Sequence, residues 1–481
     1  MFTVTRVRLL VITCSALFMA MLDNLVLGVA LPSIQRSFEA GISDLEWFMN
    51  AYTLAFAVLL IPFSMLGERF GRKRMFLAGV VLFTLGSAFS GLSGSSIELI
   101  LSRALQGVGG AAIVPLSLTL VNRAFPEEQR AAALGIWSGI SGLGLSIGPL
   151  VGGLIIEGAP WQLIFWVNVP VGVLAFFLGL RWLPESRGER NPLDPLGILL
   201  LAASMFSLIY GLEQGNSYGW SSPLVVGLLA GGAILLGLFI GWERTRKHPF
   251  VQLGLFRRAR YTAYVLAGFW MNAGIFGAIF LLTLFLQQAQ GYSALEAGIR
   301  TMAWTGCTMV AAPLAGLAIS RIGTKAVLSI GLLLQAAALA GFGILILSAG
   351  VEFPFWYQAP LMMMAGTGMG LSFTPLTHGV LSSVPERAGD EASGVSNATR
   401  ELGGVFGIAI AGLIFQSGPA IASPADFGDN TVPALFASAA LTGLGLLCTL
   451  VLVRGRKADL PETREHGARI ESVREAESPI A

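Results

Sequence analysis

Residues 66–74 read LGERFGRKR and separate two apolar runs, residues 49–66 and 75–92. A run of roughly 18 or more mostly apolar residues is long enough to cross about 30 Å of hydrocarbon as an α-helix, and clustered Lys and Arg mark the cytoplasmic side of a membrane. The stretch therefore predicts a tight cytoplasmic turn between two membrane-spanning helices.

The composition of the chain also indicates a membrane protein. Of 481 residues, 54% are hydrophobic and only 12% are charged, against roughly 25% charged in a typical soluble domain. The formal net charge of +2 is spread over many separate loops, so it predicts no nucleic-acid-binding face. Cys14, Cys307 and Cys448 lie far apart in apolar runs without C-x-x-C spacing, so neither a disulfide nor a metal site is expected.

Fourteen membrane-spanning helices are predicted, divided into six, two and six. The predicted spans are 9–31, 47–66, 75–92, 97–121, 132–156, 163–183, 196–212, 223–242, 261–286, 297–320, 326–347, 355–382, 396–415 and 433–453. Basic residues precede the first run, as in a signal peptide. That run nevertheless continues to Leu31, carries Asp23 and offers no convincing small-residue cleavage site, so it is interpreted as a retained span.

The basic residues test this count, because an omitted or invented span would disrupt their alternation between loops. Of the 30 Lys and Arg, Arg36, Arg103 and Arg300 are the exceptions to a pattern that places basic residues at the N-terminus, the even-numbered loops and the C-terminal tail. Both termini are therefore predicted to be cytoplasmic, in a multi-pass protein of the cell (inner) membrane.

The predicted fold is an all-α integral membrane protein with two pseudo-symmetric six-helix bundles and two intervening helices. The predicted units are an N-terminal bundle (1–183), a linker with two extra helices (184–242), a cytoplasmic connector (243–260), a C-terminal bundle (261–453) and a disordered tail (454–481). An internal repeat supports the division, because residues 316–325, GLAISRIGTK, are a weaker copy of residues 64–73. Duplicated bundles flank the central site of many secondary transporters.

Three ionisable residues within the predicted spans are candidates for chemistry. Asp23 is a carboxyl group that is costly to ionise at low dielectric and can therefore carry a proton; alternatively, it makes a helix-to-helix hydrogen bond or is solvated near the outer surface. Arg103 keeps its charge and needs a partner, for which Asp23 is proposed; alternatively, the pair is static. Glu401, beside Arg400, is either a second titrating group or part of an ion pair at the cytoplasmic end.

A substrate cavity is predicted from polar and adaptable side chains in the spans. Methionine is flexible and polarizable, so it suits such a cavity. The alternative is that these methionine and aromatic residues are core or lipid-facing, and that the second span is anchored at the membrane interface. The cavity candidates are Asn50, Tyr52, Gln106, Met364 and Phe373.

Several motifs resemble those of the major facilitator superfamily, and within it the fourteen-helix drug:proton antiporter branch. Residues 64–74 resemble the loop motif G-x-L-A-D-R-x-G-R-K, with Ser64 at its first glycine, and residues 101–107, LSRALQG, are similar to the fourth-helix motif. Residues 144–153 match the fifth-helix pattern G-x-x-x-G-P-x-x-G-G at every fixed position.

Two further stretches carry the same resemblance. Leu22 and Asp23 with residues 29–32 resemble the first-helix motif of this branch. Residues 161–172, with Trp161 and Asn168, resemble the opening of the sixth helix, although Gln162 replaces the usual arginine.

The resemblance implies roles for three groups of residues. It implies that Arg103 takes part in proton transfer, and that the loop motif is a conformational latch tying the second and third helices to the other half; alternatively, its basic residues only set topology. The latch residues are Glu68, Arg69, Gly71, Arg72, Lys73 and Arg321. It also implies an antiporter signature that seals the bundle interface against proton leak, where a plain packing kink is the alternative. The signature residues are Gly144, Gly148, Pro149, Gly152 and Gly153.

The predicted function is that of a proton-coupled multidrug efflux antiporter, which exports hydrophobic, cationic compounds by alternating access. The sequence has no G-x-x-x-x-G-K-[ST] phosphate loop, so a proton gradient rather than ATP is the expected energy source and no cofactor is expected. The expected partners are small substrates, protons and membrane lipids, and a membrane-fusion partner is left open. The alternative is a dedicated exporter of one lipid or natural product. An enzyme is not predicted, because His248, His378 and His466 are scattered.

Overall fold

The computed structural model describes residues 3–187, 194–246, 249, 253–385 and 389–453, which form helices and loops with no β-strand in those ranges. The helices are α1 Val4–Phe38, α2 Ile42–Phe70, α3 Arg72–Leu92, α4 Ser96–Ala124, α5 Glu127–Gly158, α6 Leu163–Trp166, α7 Asn168–Trp182, α8 Pro195–Tyr218, α9 Pro223–Thr245, α10 Ala259–Leu284, α11 Ala294–Ile322, α12 Thr324–Ala349, α13 Phe355–Leu381, α14 Gly389–Gln416 and α15 Pro424–Leu452. A 3₁₀ turn, Leu253–Arg257, precedes α10, and a π-helical segment, Phe285–Ala289, follows it.

Eleven helices in the described ranges are long and apolar enough to cross a membrane. Helix α2 makes twelve if its two parts, Ile42–Leu60 and Pro62–Phe70, count as one span bent by 50°. The predicted all-α membrane architecture is therefore confirmed. A count of fourteen would also require α5 and α13 to cross, and it stays a prediction. The predicted tail, 454–481, and parts of the linker and connector lie outside the described residues.

The helices run back and forth between two ends of the molecule. The end at which α1 begins and α15 stops carries the Lys- and Arg-rich loops and is called the basic face; the other end is called the opposite face. Four of the helices that begin at the opposite face do so on a serine whose hydroxyl accepts a backbone N–H of the first turn. These serines are Ser95, Ser222, Ser293 and Ser423.

Helices α1–α7 pack together as one bundle and α10–α15 as another. The bundles meet mainly where α5 packs on α11 and where α2 packs on α14. Helices α8 and α9 pack on each other, and α8 lies against both α2 and α14. The second of these two seams is therefore covered by the intervening pair.

The sequence repeat has the same local structure in both bundles. Gly71 ends α2 with a φ of 113°, and Gly323 ends α11 with a φ of 82°, a region that favours glycine. Two residues later, Lys73 Nζ donates to the Leu180 carbonyl in the last turn of α7 at 2.8 Å. Lys325 Nζ likewise donates to two carbonyl oxygens at the end of α15, at 2.9 and 2.6 Å. Each repeat thus places a cation at the C-terminus of its bundle's last helix, where the helix dipole favours it.

Candidate functional site

Five polar side chains from four helices form one buried network inside the N-terminal bundle. They are Asp23 on α1, Ser87 on α3, Arg103 and Gln106 on α4, and Asn168 on α7, and each is at most 2% exposed. Arg103 Nη1 donates to Asp23 Oδ2 at 2.5 Å and to Gln106 Oε1 at 2.6 Å. The pairing of Asp23 with Arg103 that the sequence suggested is therefore present.

Two amides complete the surroundings of the Asp23 carboxylate. Asp23 Oδ1 accepts hydrogen bonds from Gln106 Nε2 at 2.7 Å and from Asn168 Nδ2 at 3.0 Å. Both amides also donate to Ser87 Oγ, at 2.8 and 3.0 Å. An ionised carboxylate only accepts hydrogen bonds, so these donors match its charged form. A proton on Asp23 would remove the attraction between its negative charge and Arg103.

Arg103 also holds the second helix. Its Nε donates to the Phe48 carbonyl at 3.2 Å, and its guanidinium carbon lies 4.6 Å from the centre of the Tyr52 ring. The Phe165 ring lies on the same group at 5.8 Å. The buried guanidinium thereby donates to one carboxylate, one side-chain amide oxygen and one backbone carbonyl, and it lies against aromatic rings.

The cavity candidates lie on helices of both bundles, namely α2, α4 and α13. Gln106 is a member of the buried network, and Tyr52 packs on Phe56 and Phe83 within the bundle. Asn50 is fully buried on α2. Met364 packs at the edge of the larger core cluster. Contact of any of these residues with a substrate stays a prediction.

Glu401 and Arg400 lie on α14, in the part of the C-terminal bundle that faces the network. Arg400 Nη2 is 3.8 Å from Glu401 Oε1, and the Arg400 guanidinium carbon lies 5.0 Å from the centre of the Phe373 ring. Helix α14 packs on α2 of the N-terminal bundle, which carries Tyr52, and the Tyr52 ring stacks on Arg103. The two predicted proton-coupling carboxyl groups therefore lie on the two sides of the same interface.

The fifth-helix motif packs α5 against two neighbours. A Cβ added to Gly144, Gly148 or Gly152 would meet α1 at 2.9, 3.1 and 2.9 Å. A Cβ on Gly153 would lie 2.7 Å from the Leu295 Cα on α11, and Pro149 lies against Gly298 of the same helix. The glycines thus permit close approach both within the N-terminal bundle and between bundles.

The loop motif is tied to its own bundle in this structure. Glu68 Oε1 accepts from Arg72 Nη2 at 3.1 Å. The Glu185 carboxylate, just after α7, accepts from the backbone N–H of Lys73 at 3.1 Å and lies 3.7 Å from Arg74 Nε. The remaining basic latch residues, Arg69 and Arg321, are exposed at the basic face. A latch between the two halves stays a prediction, for a state in which the basic face is closed.

Hydrogen bonds between described residues join the two bundles near the opposite face. Gln287 Nε2 donates to the Val29 carbonyl at 3.0 Å, and Gln288 Nε2 donates to Gln35 Oε1 at 2.7 Å. Both glutamines lie in the π-helical segment after α10, and such segments are frequent at functional sites. The third bond joins Gln416 Nε2 to Glu46 Oε1 at 2.7 Å. The two bundles are therefore joined at the opposite face through both α1 and α2.

Several residues that the structure places in these contacts were not assigned by sequence reasoning, and Asn168, Ser87, Glu46 and Glu185 are the polar ones considered first. Asn168 had been noted only as part of a resemblance, and Ser87 is a single hydroxyl in an apolar run; a polar side chain in a predicted span was the available signal. Glu46 and Glu185 border predicted spans, where acids are common, so the sequence carried no signal that they make long-range contacts.

The chain belongs to the major facilitator superfamily, whose sequence model matches residues 13–408. It is similar to the tetracenomycin C resistance and export protein of Streptomyces glaucescens, with 34% identity over 418 residues, covering 86% of this chain and 77% of the relative. It is 35% identical over 415 residues to the multidrug resistance protein Stp of Mycobacterium tuberculosis, covering 86% and 76%.

Solved structures agree on the fold. An auto-inhibited peptide transporter of the POT family superposes with a TM-score of 0.68 over 94% of this chain and 98% of its own, at 16% identity. The chain is thus a multi-pass membrane transporter of small molecules and not an enzyme, and its relatives include drug and antibiotic export proteins.

Proposed function

We propose that this transporter exports hydrophobic, cationic compounds from the cytoplasm in exchange for protons, as in the fourteen-helix drug:proton antiporter branch. The basic face would be cytoplasmic, because its loops carry the Lys and Arg. The observation that carries the proposal is the fully buried ion pair between Asp23 and Arg103. Ionisable groups buried within membrane proteins are costly and typically mark ion pathways.

The network supplies a physical basis for exchange. In the charged form, Asp23 holds Arg103, and Arg103 holds α2 through Phe48 and Tyr52. Protonation from outside would neutralise Asp23 and free Arg103 to choose other acceptors, so the packing of α1, α2 and α4 would change. Release of the proton to the cytoplasm would restore the pair and reset the transporter. Glu401, the second carboxyl group predicted to couple protons, lies on α14, which packs against α2.

The experiment is efflux in reconstituted vesicles with an imposed proton gradient and a panel of fluorescent compounds. Asp23→Asn is expected to abolish uphill efflux, because the amide cannot exchange a proton, while the protein still folds. Asp429→Asn is the matched control, since Asp429 is exposed at the opposite face and undergoes the same chemical change. Uphill efflux by Asp23→Asn at the wild-type rate, or efflux that survives collapse of the gradient, would refute the proposal.

A second candidate is dedicated export of one lipid or natural product by the same mechanism. One relative is named for export of a single compound, tetracenomycin C, and another for multidrug resistance. The compound panel separates the two: transport of several unrelated compounds supports the multidrug function, and transport of a single compound supports the dedicated one.

A further inference from the structure

A cavity of the C-terminal bundle lies between α10, α13 and α14. Gly268 lines it from α10 and lies against the Arg400 side chain, since a Cβ added to Gly268 would lie 3.9 Å from Arg400 Cγ. The described residues that line the cavity include no member of the network around Asp23, so it is a separate polar site. Its polar lining residues are Thr377 on α13 and Ser393, Ser396, Asn397 and Arg400 on α14.

The polar residues of α14 form a stripe along one side of a helix that is long and apolar enough to cross a membrane. Positions 393, 396, 397 and 400 follow the i, i+3, i+4, i+7 spacing of one helix face. Val395 and Ala398, on the other side, are buried in the apolar core of the N-terminal bundle. Polar side chains within a membrane are costly and typically face a bundle interior or a water-filled space. The stripe therefore makes this side of α14 suited to a polar ligand.

Arg400 brings hydrogen-bond donors to the cavity that the described residues leave unused. Its side chain is 21% exposed, and its Nε is buried without a hydrogen-bond partner among the described residues. Glu401 Oε1 lies 3.8 Å from Arg400 Nη2, which is beyond hydrogen-bond distance. The Phe373 ring lies over the guanidinium at 5.0 Å, and a ring on the flat face leaves the N–H groups at the edge. Their fixed fork matches the two oxygens of a carboxylate.

The lining residues extend inward from the basic face. Thr377 lies four residues before the end of α13, and Ser393 lies four residues after the start of α14. Arg400 is eleven residues into α14, which is about 16 Å along the helix. The lining thus begins about one turn inside the basic face, the side from which the proposed function loads its compounds, and reaches Arg400 at the deep end.

The charge of the lining distinguishes between possible ligands. Among the described residues that line the cavity, Arg400 alone is charged. The Ser396 hydroxyl and the Asn397 amide can each donate a hydrogen bond. A purely cationic group would meet the like charge of the guanidinium, whereas a carboxylate would accept hydrogen bonds from it and from its neighbours. The lining therefore favours an anionic group.

We propose that this cavity takes the carboxylate of an exported compound, so that the preferred substrates are hydrophobic compounds that carry both a cation and a carboxylate. This inference rests on the proposed export function and names its substrate class. Arg400 donates to the carboxylate oxygens, and Ser396 and Asn397 add neutral donors beside it. The cationic part of the compound stays outside the cavity, away from Arg400.

The test compares two dyes that differ at one group. Rhodamine B carries an aromatic cation and a free carboxylate at neutral pH, and rhodamine B ethyl ester keeps the cation but has no carboxylate. Binding of each dye to the purified full-length protein in detergent is measured by fluorescence polarisation, with the dye taken up by empty micelles subtracted. The wild-type protein is expected to bind rhodamine B more tightly than the ester.

Arg400→Gln is expected to raise the Kd for rhodamine B about tenfold, the size expected for loss of a hydrogen bond between charged groups. It should bind the ester nearly as tightly as the wild-type protein does. Asn397→Asp keeps the size of the side chain and places a carboxylate of the protein beside Arg400, so it should weaken rhodamine B in the same selective way. It replaces Arg400→Gln if thermal unfolding shows that variant to be unfolded.

Arg300→Gln is the matched control. Arg300 also lies on an aromatic ring, that of Tyr292, and is 4.0 Å from a carboxylate on its own helix, that of Glu296, but it is at the opposite face. Its replacement should leave the binding of both dyes unchanged.

Three results would overturn the carboxylate site. They are wild-type binding of the ester as tight as that of rhodamine B, binding of neither dye, and an equal loss of both dyes in Arg400→Gln or Asn397→Asp. Binding needs no proton gradient, so selective binding without proton-driven efflux would refute only the proposed function. Proton-driven efflux without the selectivity would refute only the carboxylate site.

Discussion

At the scale of single residues, Arg103 acts through the shape of its guanidinium as well as its charge. One terminal nitrogen donates to Asp23 and Gln106, and the inner nitrogen donates to the backbone of α2. A planar group with several fixed donors can hold these acceptors at once, whereas a lysine ammonium is a compact point charge on a flexible chain. Arg103 therefore connects three helices, α1, α2 and α4, and is more than a counter-ion of Asp23.

Arg103→Lys is therefore expected to lower proton-driven efflux about tenfold or more, because loss of one hydrogen bond to a charged group costs about 1.5–3 kcal/mol. The measurement is the initial efflux rate in vesicles at a fixed proton gradient. Arg300→Lys is the matched control, because Arg300 lies over the Tyr292 ring on the other bundle. Efflux by Arg103→Lys at the wild-type rate would instead identify the pair as a static support.

At the scale of secondary-structure elements, the repeated helix–turn–helix shows what the family's loop motif does locally. Its glycine turns the chain, its lysine caps the last helix of the bundle, and in the first copy Glu185 occupies the space beside the glycine. A Cβ on Gly71 would lie 2.6 Å from the Glu185 Cδ, whereas a Cβ on Gly323 would meet nothing within 4 Å. The two glycines share a backbone requirement but differ in their surroundings.

Gly71→Ala and Gly323→Ala form a matched pair for that difference. Both should destabilise the protein by about 1–3 kcal/mol, because alanine is strained in these backbone regions. Gly71→Ala should lower the stability more than Gly323→Ala, because it also displaces Glu185 from the N–H of Lys73. The midpoint of thermal unfolding in detergent measures both, and equal losses would mean that the Glu185 contact contributes nothing to stability.

At the scale of the whole molecule, the two seams between the bundles differ in the residues that form them. The α2–α14 seam is covered by α8 and contains the buried Glu46, whereas the α5–α11 seam is closed by small residues at backbone distance. The proposed alternating access would require both seams to open and close together. A seam between backbones tolerates no added volume, because packed interfaces have little free space.

Gly153→Ala should therefore prevent full closure of the opposite face, because the new Cβ would lie 2.7 Å from the backbone of α11. Overpacking typically costs about 1 kcal/mol or more, and here that cost would fall on the closed state. Efflux should therefore fall several-fold while the protein remains folded. Gly139→Ala on the same helix is the control, since a Cβ there meets nothing within 4 Å. Efflux in vesicles measures closure, and thermal unfolding in detergent shows whether the variant is still folded. Equal efflux by both variants would contradict the steric account.

Much of the architecture follows from the sequence alone, because apolar length, basic loops and glycine-rich motifs are local signals. They predicted the all-α membrane fold, the repeated turn and the pairing of Asp23 with Arg103, the last because a buried arginine needs an acid and few are available. The membership of Asn168 and Ser87 in the network could not be derived, since single polar residues in apolar runs do not reveal which helix they face.

Only the tertiary structure decided which long-range contacts close the molecule. Glu46 and Gln416 are 370 residues apart in the chain, and each sits at a helix end where polar residues are ordinary. Their meeting depends on how the two bundles pack and on Gly412 of α14, where an added Cβ would collide with the Glu46 carboxyl group. Sequence periodicity shows which face of a helix is buried. It does not show which residues of the other bundle pack on that face, because that depends on the shapes of both bundles.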